Sequence, residues 1–226
     1  MRFAPVVVLS ATLALSGSAF AETSSWTVDP EHSSAQFAVK HLGLSNVRGE
    51  MGKVTGTLVY DDKDVSKSTV EATIDVKAIN TREEKRDAHL RSDAFFDVEH
   101  HPNITFKSTK VAKAGKGKLK VTGDLTIREK TKPVVLDVDF PGTPVTAYGD
   151  THLSAEATTK INRQDFGVSW NTTVDTGGLL VGDEVSITIE MDFVKVKAAK
   201  DAAPAASVAP AASATATAAP APAKRK

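Results

Sequence analysis

Apolar and polar residues alternate along most of this chain, the period-2 pattern of strands with one dry face and one wet face. Over "VEATIDVKA" the apolar set is Val70, Ala72, Ile74, Val76 and Ala78, separated by Glu71, Thr73, Asp75 and Lys77. "KLKVTGDLTIR" places Leu119, Val121, Gly123, Leu125 and Ile127 on one face, and "EVSITIEMDF" does the same with Val185, Ile187, Ile189, Met191 and Phe193. Weaker alternation runs over residues 35–41, 54–60, 104–111, 134–140 and 153–161. The pattern predicts about eight strands, joined by turns rich in charged residues, Gly or Pro such as "YDDKD", "KAGKGK", "REKTKP" and "FPGTP" that suit short antiparallel connections. An all-β fold follows. Eight antiparallel strands either close as a barrel or stack as a sandwich; closure removes the sheet edges, and a barrel of eight is wide enough for one small ligand.

One stretch, "TREEKRDAHLRSDAFFDVEHH" over residues 81–101, breaks the alternation. Thr81 followed three residues later by Glu84 reads as a capping box, which predicts a short helix over residues 82–91. Such a helix is too short to stand alone. Only Ala88 and Leu90 are apolar within it, so the adjacent Phe95 and Phe96 are its expected anchor.

The ends of the chain read differently. Arg2, an apolar run from Phe3 to Leu15 and the small residues ending Ala19-Phe20-Ala21 match a secretory signal peptide over residues 1–21, with cleavage expected after Ala21. No later segment offers about 18 consecutive apolar residues. The folded domain is expected over residues 22–197, and the Ala/Pro/Ser/Thr-rich residues 198–226 have too little large apolar surface to fold. With no cysteine, the domain depends on its core in an oxidising compartment. The 28 basic residues balance 28 acidic ones, which argues against nucleic acid as a partner.

Candidate chemistry is sparse. His32, His41, His89, His100, His101 and His152 offer no helical i, i+4 pair, so no metal site is assigned. No G-x-S-x-G elbow is present, and Asp61-Asp62 and Glu83-Glu84 read as solvated charges, so no catalytic residue and no cofactor is assigned. Arg86-Asp87 and Arg163 with Asp165 have two readings. Either they form ion pairs that fasten the helix and the "INRQDFG" segment to one end of the sheet, or a guanidinium faces the polar head of a ligand.

Four patterns together, "WTVDPEHSSAQFAVKH" (26–41), "INTREEKRDAHLRSDAFF" (79–96), "GDLTIREKTKPV" (123–134) and "INRQDFG" (161–167), resemble the YceI-like family in order and spacing. The second is the most specific, through Arg86-Asp87, His89-Leu90, Ser92 and Phe95-Phe96. The resemblance spans about residues 26–196. It implies an exported bacterial protein, hence periplasmic, with a lipocalin-like barrel around a long isoprenoid lipid such as a polyprenyl phosphate or a quinone tail. On that reading Phe37, Val39, Leu42, Phe95, Phe96, Phe106, Leu125, Ile127, Leu136, Phe166 and Trp170 line the apolar cavity. His41, Arg86, His89 and Arg163 stand near the polar head, and the 81–96 segment closes one end. The implied partners are the isoprenoid lipid itself, a transient contact with the membrane or membrane proteins, and a second copy in a homodimer. Two rival functions fit the same strands: an enzyme acting on a lipid-like substrate in that cavity, and a solid-cored interaction domain. The chain departs from the family at Glu129, where a glycine is usual after "LTI", and in its Ala/Pro tail.

Overall fold

The computed structural model describes residues 23–175 and 177–197; the expected signal segment and the tail lie outside the described residues. Among the described residues eleven strands form, in the order β1 (Thr23–Val28), β2 (Ser34–His41), β3 (Ser45–Glu50), β4 (Lys53–Asp61), β5 (Thr69–Asp75), β6 (Asn103–Gly115), β7 (Lys118–Ile127), β8 (Lys130–Asp139), β9 (Val145–Ala147), β10 (Asp150–Asn162) and β11 (Val181–Lys195). A single α-helix among the described residues, α1 (Glu84–Arg91), lies between β5 and β6. Every segment expected from alternation is a strand, although Val76–Ala78 leaves the sheet as a 3-10 turn. Alternation missed β1, β3 and β9. "TSSWTV" has only Trp26 and Val28 as large apolar residues, "SNVRGE" only Val47, and β9 is three residues long.

All pairings are antiparallel, and β11–β1–β4–β5–β6–β7–β8–β10 closes back on β11 as a ring of eight. The number matches the expected eight-stranded barrel, but β1 occupies the place in the ring that alternation gives to β2. The cause is the length of β11. Its C-terminal end pairs with β1 (Val28 opposite Phe193, Trp26 opposite Lys195), its N-terminal part pairs with β2 (Val39 opposite Val185, Ala35 opposite Ile189), and β10 follows its other side from His152 to Asn162. β1 and β2 therefore lie end to end along β11, as do β4 and β3 beside them. The bend between β3 and β4 is at Gly52, with φ 138° and no room for a side chain: a Cβ there would sit 1.9 Å from Asp75 O.

Above the ring the sheet continues only as β3–β2–β11 and β10, because β5 and β6 stop at Asp75 and Asn103. The 76–102 segment fills the missing wall. Asn80 bridges to β3, with Glu50 N–H to Asn80 O at 2.9 Å and Asn80 N–H to Glu50 O at 3.0 Å.

α1 begins later than expected, and its cap is different. Arg82 has φ 65°, which ends any helix there. Glu83 is the N-cap, its carboxylate accepting from Lys85 N–H at 3.2 Å and Arg86 N–H at 2.6 Å. Thr81 is instead turned inward and buried, donating both its N–H and its hydroxyl to the buried Asp87 carboxylate. A carboxylate one turn into the helix thus takes the residue that the capping box assigns to the helix end. The β7–β8 turn, Arg128-Glu129, has φ 48° and 63°. Two left-handed residues make a tight hairpin turn, the geometry for which a glycine is favoured.

Candidate functional site

Two adjoining cavities occupy the barrel. The lower one, about 140 Å³, lies inside the ring among Leu58, Phe106, Leu125, Leu136, Val138 and Phe193. Its far end is closed by Tyr60 and Phe140, whose rings meet edge to face at 5.3 Å. The upper one, about 390 Å³, lies between the β3–β2–β11 wall, α1 and the segment after β10, among Phe37, Val39, Phe96, Trp170, Leu180 and Val185. The two share Met51, Ile104, Ile127 and Ile187, so apolar surface runs from one into the other.

Their chemistry differs. Among the described residues, Tyr60 is the only ionisable side chain lining the lower cavity. The upper one is bordered by Lys40, His41, Lys85, Arg86, His89 and Arg163, and by no carboxylate of the described residues. Phe95 is buried at its wall, and His89, Phe95 and Trp170 form a cluster with centroids 4.8–5.2 Å apart: His89 meets both rings edge-on, and Phe95 and Trp170 are tilted. Aromatic contacts of this kind add to simple burial, and here they fasten a polar helix to the barrel. Arg128 completes the attachment, donating to Phe95 O at 2.7 Å and Gly167 O at 3.1 Å.

Arg163, buried at the end of β10, is a clamp. Its Nε–H donates to Gly182 O at 2.9 Å, Nη1 to Val168 O and Trp170 O at 2.6 and 2.9 Å, and Nη2 to Val181 O and Asp183 Oδ1 at 3.3 and 3.1 Å. All five guanidinium donors are engaged by the protein. Burial pushes the guanidinium down from its ordinary value, and Asp183 opposes that shift. The expected Arg163–Asp165 pair is thus replaced by Asp183, which β11 delivers from across the sheet. Arg86 is only half committed: Nε donates to Thr81 Oγ1 at 2.7 Å and Nη2 to Thr81 O at 3.0 Å, leaving three N–H donors. It meets Asp87 through Thr81, not as a direct ion pair.

The sequence-derived site residues fall mostly around these cavities. Phe37, Val39, Phe95, Phe96, Trp170, His41, Arg86, His89 and Arg163 border the upper one; Phe106, Leu125 and Leu136 the lower; Ile127 both. Two do not. Leu42 is 42 % exposed in the β2–β3 turn, because the strand ends one residue earlier, and Phe166 is packed in the core away from both cavities. Sequence reasoning missed Met51, Tyr60, Val185 and Ile187, of which the last two carry clear alternation, and Lys40 and Lys85, which carry no signal beyond that of a solvated lysine. No group of three metal-binding side chains occurs among the described residues.

Similar proteins share this architecture. A UPF0312 protein of Pectobacterium atrosepticum is 35% identical over 178 residues, 79% of this chain and 90% of that one. The solved Campylobacter jejuni YceI protein is 30% identical with a TM-score of 0.58, covering 70% of this chain and 90% of its own. A structure described as a polyisoprenoid binding domain from Saccharophagus degradans matches in fold with a TM-score of 0.55 at 12% identity, covering 76% and 98%. The model of the YceI-like domain matches residues 26–193, nearly the whole ring with its closing segment, and the chain belongs to the YceI-like family.

Proposed function

We propose that this protein binds an isoprenoid lipid, its chain in the two adjoining cavities and its head at the upper, basic end, and that it holds or carries this lipid in the periplasm. The observation that carries the proposal is the pairing of a continuous apolar interior with a border that has cations and, among the described residues, no carboxylate. The fold-level likeness to a polyisoprenoid binding domain agrees with it. Each buried CH₂ contributes about 0.8 kcal/mol, so two or three isoprene units supply a gross term near the ~8 kcal/mol of micromolar binding, before association costs. An anionic head such as a phosphate is favoured over a neutral quinone ring, because at this partly exposed border it keeps some of its hydration and meets cations with no carboxylate of the described residues beside them. Arg86, with three N–H donors left, and Lys85 are the residues assigned to it; Arg163 has none to give.

The reading is one of binding without turnover. His89, on which a catalytic alternative depends, packs against Phe95 and Trp170, and among the described residues no side chain orients its ring by a hydrogen bond. Native mass spectrometry of the purified protein, with solvent extraction and identification of what it holds, is the test. Recovery of an isoprenoid supports the proposal; protein that is empty and takes up neither polyprenyl phosphate nor polyprenol refutes it. Lys85→Gln with Arg86→Gln is expected to lower the preference for the phosphate over the alcohol at least about tenfold.

A further inference from the structure

Packing does not explain Leu42, Leu44 and Leu179, which are 42%, 79% and 48% exposed. Leu42 and Leu44 flank Gly43 in the β2–β3 turn, closed by Leu44 N–H to His41 O at 3.0 Å. Leu179 is beside them, because Leu42 N–H donates to Leu180 O at 2.9 Å. Leu42 has φ 56°, a left-handed conformation in which asparagine or glycine is at ease and leucine is not. Folding alone therefore disfavours leucine at this tip twice over, through backbone strain and through exposed apolar surface. The tip is also continuous with the upper cavity: His41 and Leu180, the residues next to it, border that cavity, and so do the exposed cations Lys40 and Lys85.

We propose that this tip docks the protein on a lipid surface with anionic head groups. Leu42, Leu44 and Leu179 enter the acyl region, Lys40 meets the head-group phosphates, and the upper cavity faces the bilayer. The proposal rests on reading the cavities as a lipid site. A second copy of the chain is the weaker occupant, since three leucine side chains fall far short of the ~1,000 Å² that a specific protein interface needs. A reversible lipid contact requires only a few inserted side chains and some positive charge, and it weakens with salt.

The test is co-sedimentation of the full chain with vesicles of phosphatidylcholine alone or with added phosphatidylglycerol, alongside native mass spectrometry of the cargo. The triple variant Leu42→Asn, Leu44→Ser, Leu179→Ser should bind the anionic vesicles at least about tenfold more weakly. Its cargo occupancy should be unchanged and its Tm equal or higher, because asparagine suits the turn. Tyr148→Ser, at the fully exposed β9–β10 turn on the opposite end of the barrel, should leave vesicle binding unchanged. Wild-type protein that ignores anionic vesicles overturns the proposal, as does a triple variant that binds them normally or one whose only change is a lost dimer. A triple variant that loses cargo yet still binds vesicles assigns the leucines to the cavity and also overturns it. Protein that binds vesicles through the tip but never holds lipid supports docking and refutes the cargo reading.

Discussion

Replacing Arg163 with methionine keeps an apolar stem of similar reach and removes five N–H donors from four backbone carbonyls and Asp183. Those acceptors belong to two separate segments, Val168–Trp170 and Val181–Asp183, which the guanidinium holds against the end of β10. Each buried acceptor left without a partner costs about 1–3 kcal/mol. The bond to Val168 O is fully buried and the others partly so, so water restores some of them. The net loss should be about 3–5 kcal/mol, the range for breaking a buried charged network. For a domain of this size each kcal/mol lowers Tm by about 2–4 °C, which makes the shift roughly 6–20 °C. Arg163→Lys should recover less than half of the loss, because an ammonium has three donors on one atom and cannot fork across both segments. Urea unfolding followed by tryptophan fluorescence measures the difference. A methionine variant that loses less than about 1 kcal/mol, within the range of ordinary substitutions, refutes the clamp. So does one that keeps its stability and loses only its lipid, which would put the guanidinium on the ligand.

Phe95→Ala removes the ring that packs against both His89 and Trp170; it should cost about 3–5 kcal/mol and speed lipid release in a dilution assay, and an unchanged release rate would show that the cluster does not close the cavity. Glu129→Gly should stabilise the hairpin by roughly 0.5–1 kcal/mol, since φ is 63° there and the exposed Glu129 carboxylate approaches His101 no closer than 3.8 Å; a lower Tm would contradict the turn geometry. His100 Nδ1 lies 2.8 Å from Asp97 Oδ1, and the hydrogen bond and charge of Asp97 raise His100 above 6.5 while His100 holds Asp97 below 3.8. The His100 contribution is complete below its unfolded value and lost as pH rises through the raised one, whereas the Asp97 contribution is lost only as pH falls through its lowered value. The Tm gap between wild type and His100→Gln should accordingly narrow as pH rises above about 6.5, and a gap that stays constant would remove the ion pair from the account.

Alternation in the sequence reveals strands whose two faces meet different solvents, which is why β5, β7 and β11 are legible and β1 and β3 are not. β3 has one large apolar residue, Val47, because it borders the upper apolar cavity at only one point and its outer face meets water. The apolar site residues were legible for the same reason: an inward face reads alike whether it packs on neighbours or on a void, and only coordinates separate Phe166, in the core, from Phe106, on the cavity. The polar residues were legible by position and not by role. Arg163 takes its acceptors from Val168 to Asp183, and no local spacing announces that five of them converge on one guanidinium. Lys40 and Lys85 become informative only once the fold shows that no carboxylate of the described residues shares their border.

β11 is the last strand of the ring and the longest, and it pairs with β1, β2 and β10. Trp26 waits for Lys195, nearly the whole domain later in the chain. Contacts this distant make folding slow, on the order of milliseconds to seconds, and all-or-none. A chain that stops between Asn162 and Val181 is therefore not a smaller barrel. It is an open sheet with unpaired edges on β1, β2 and β10, the form most prone to stick to its own copies.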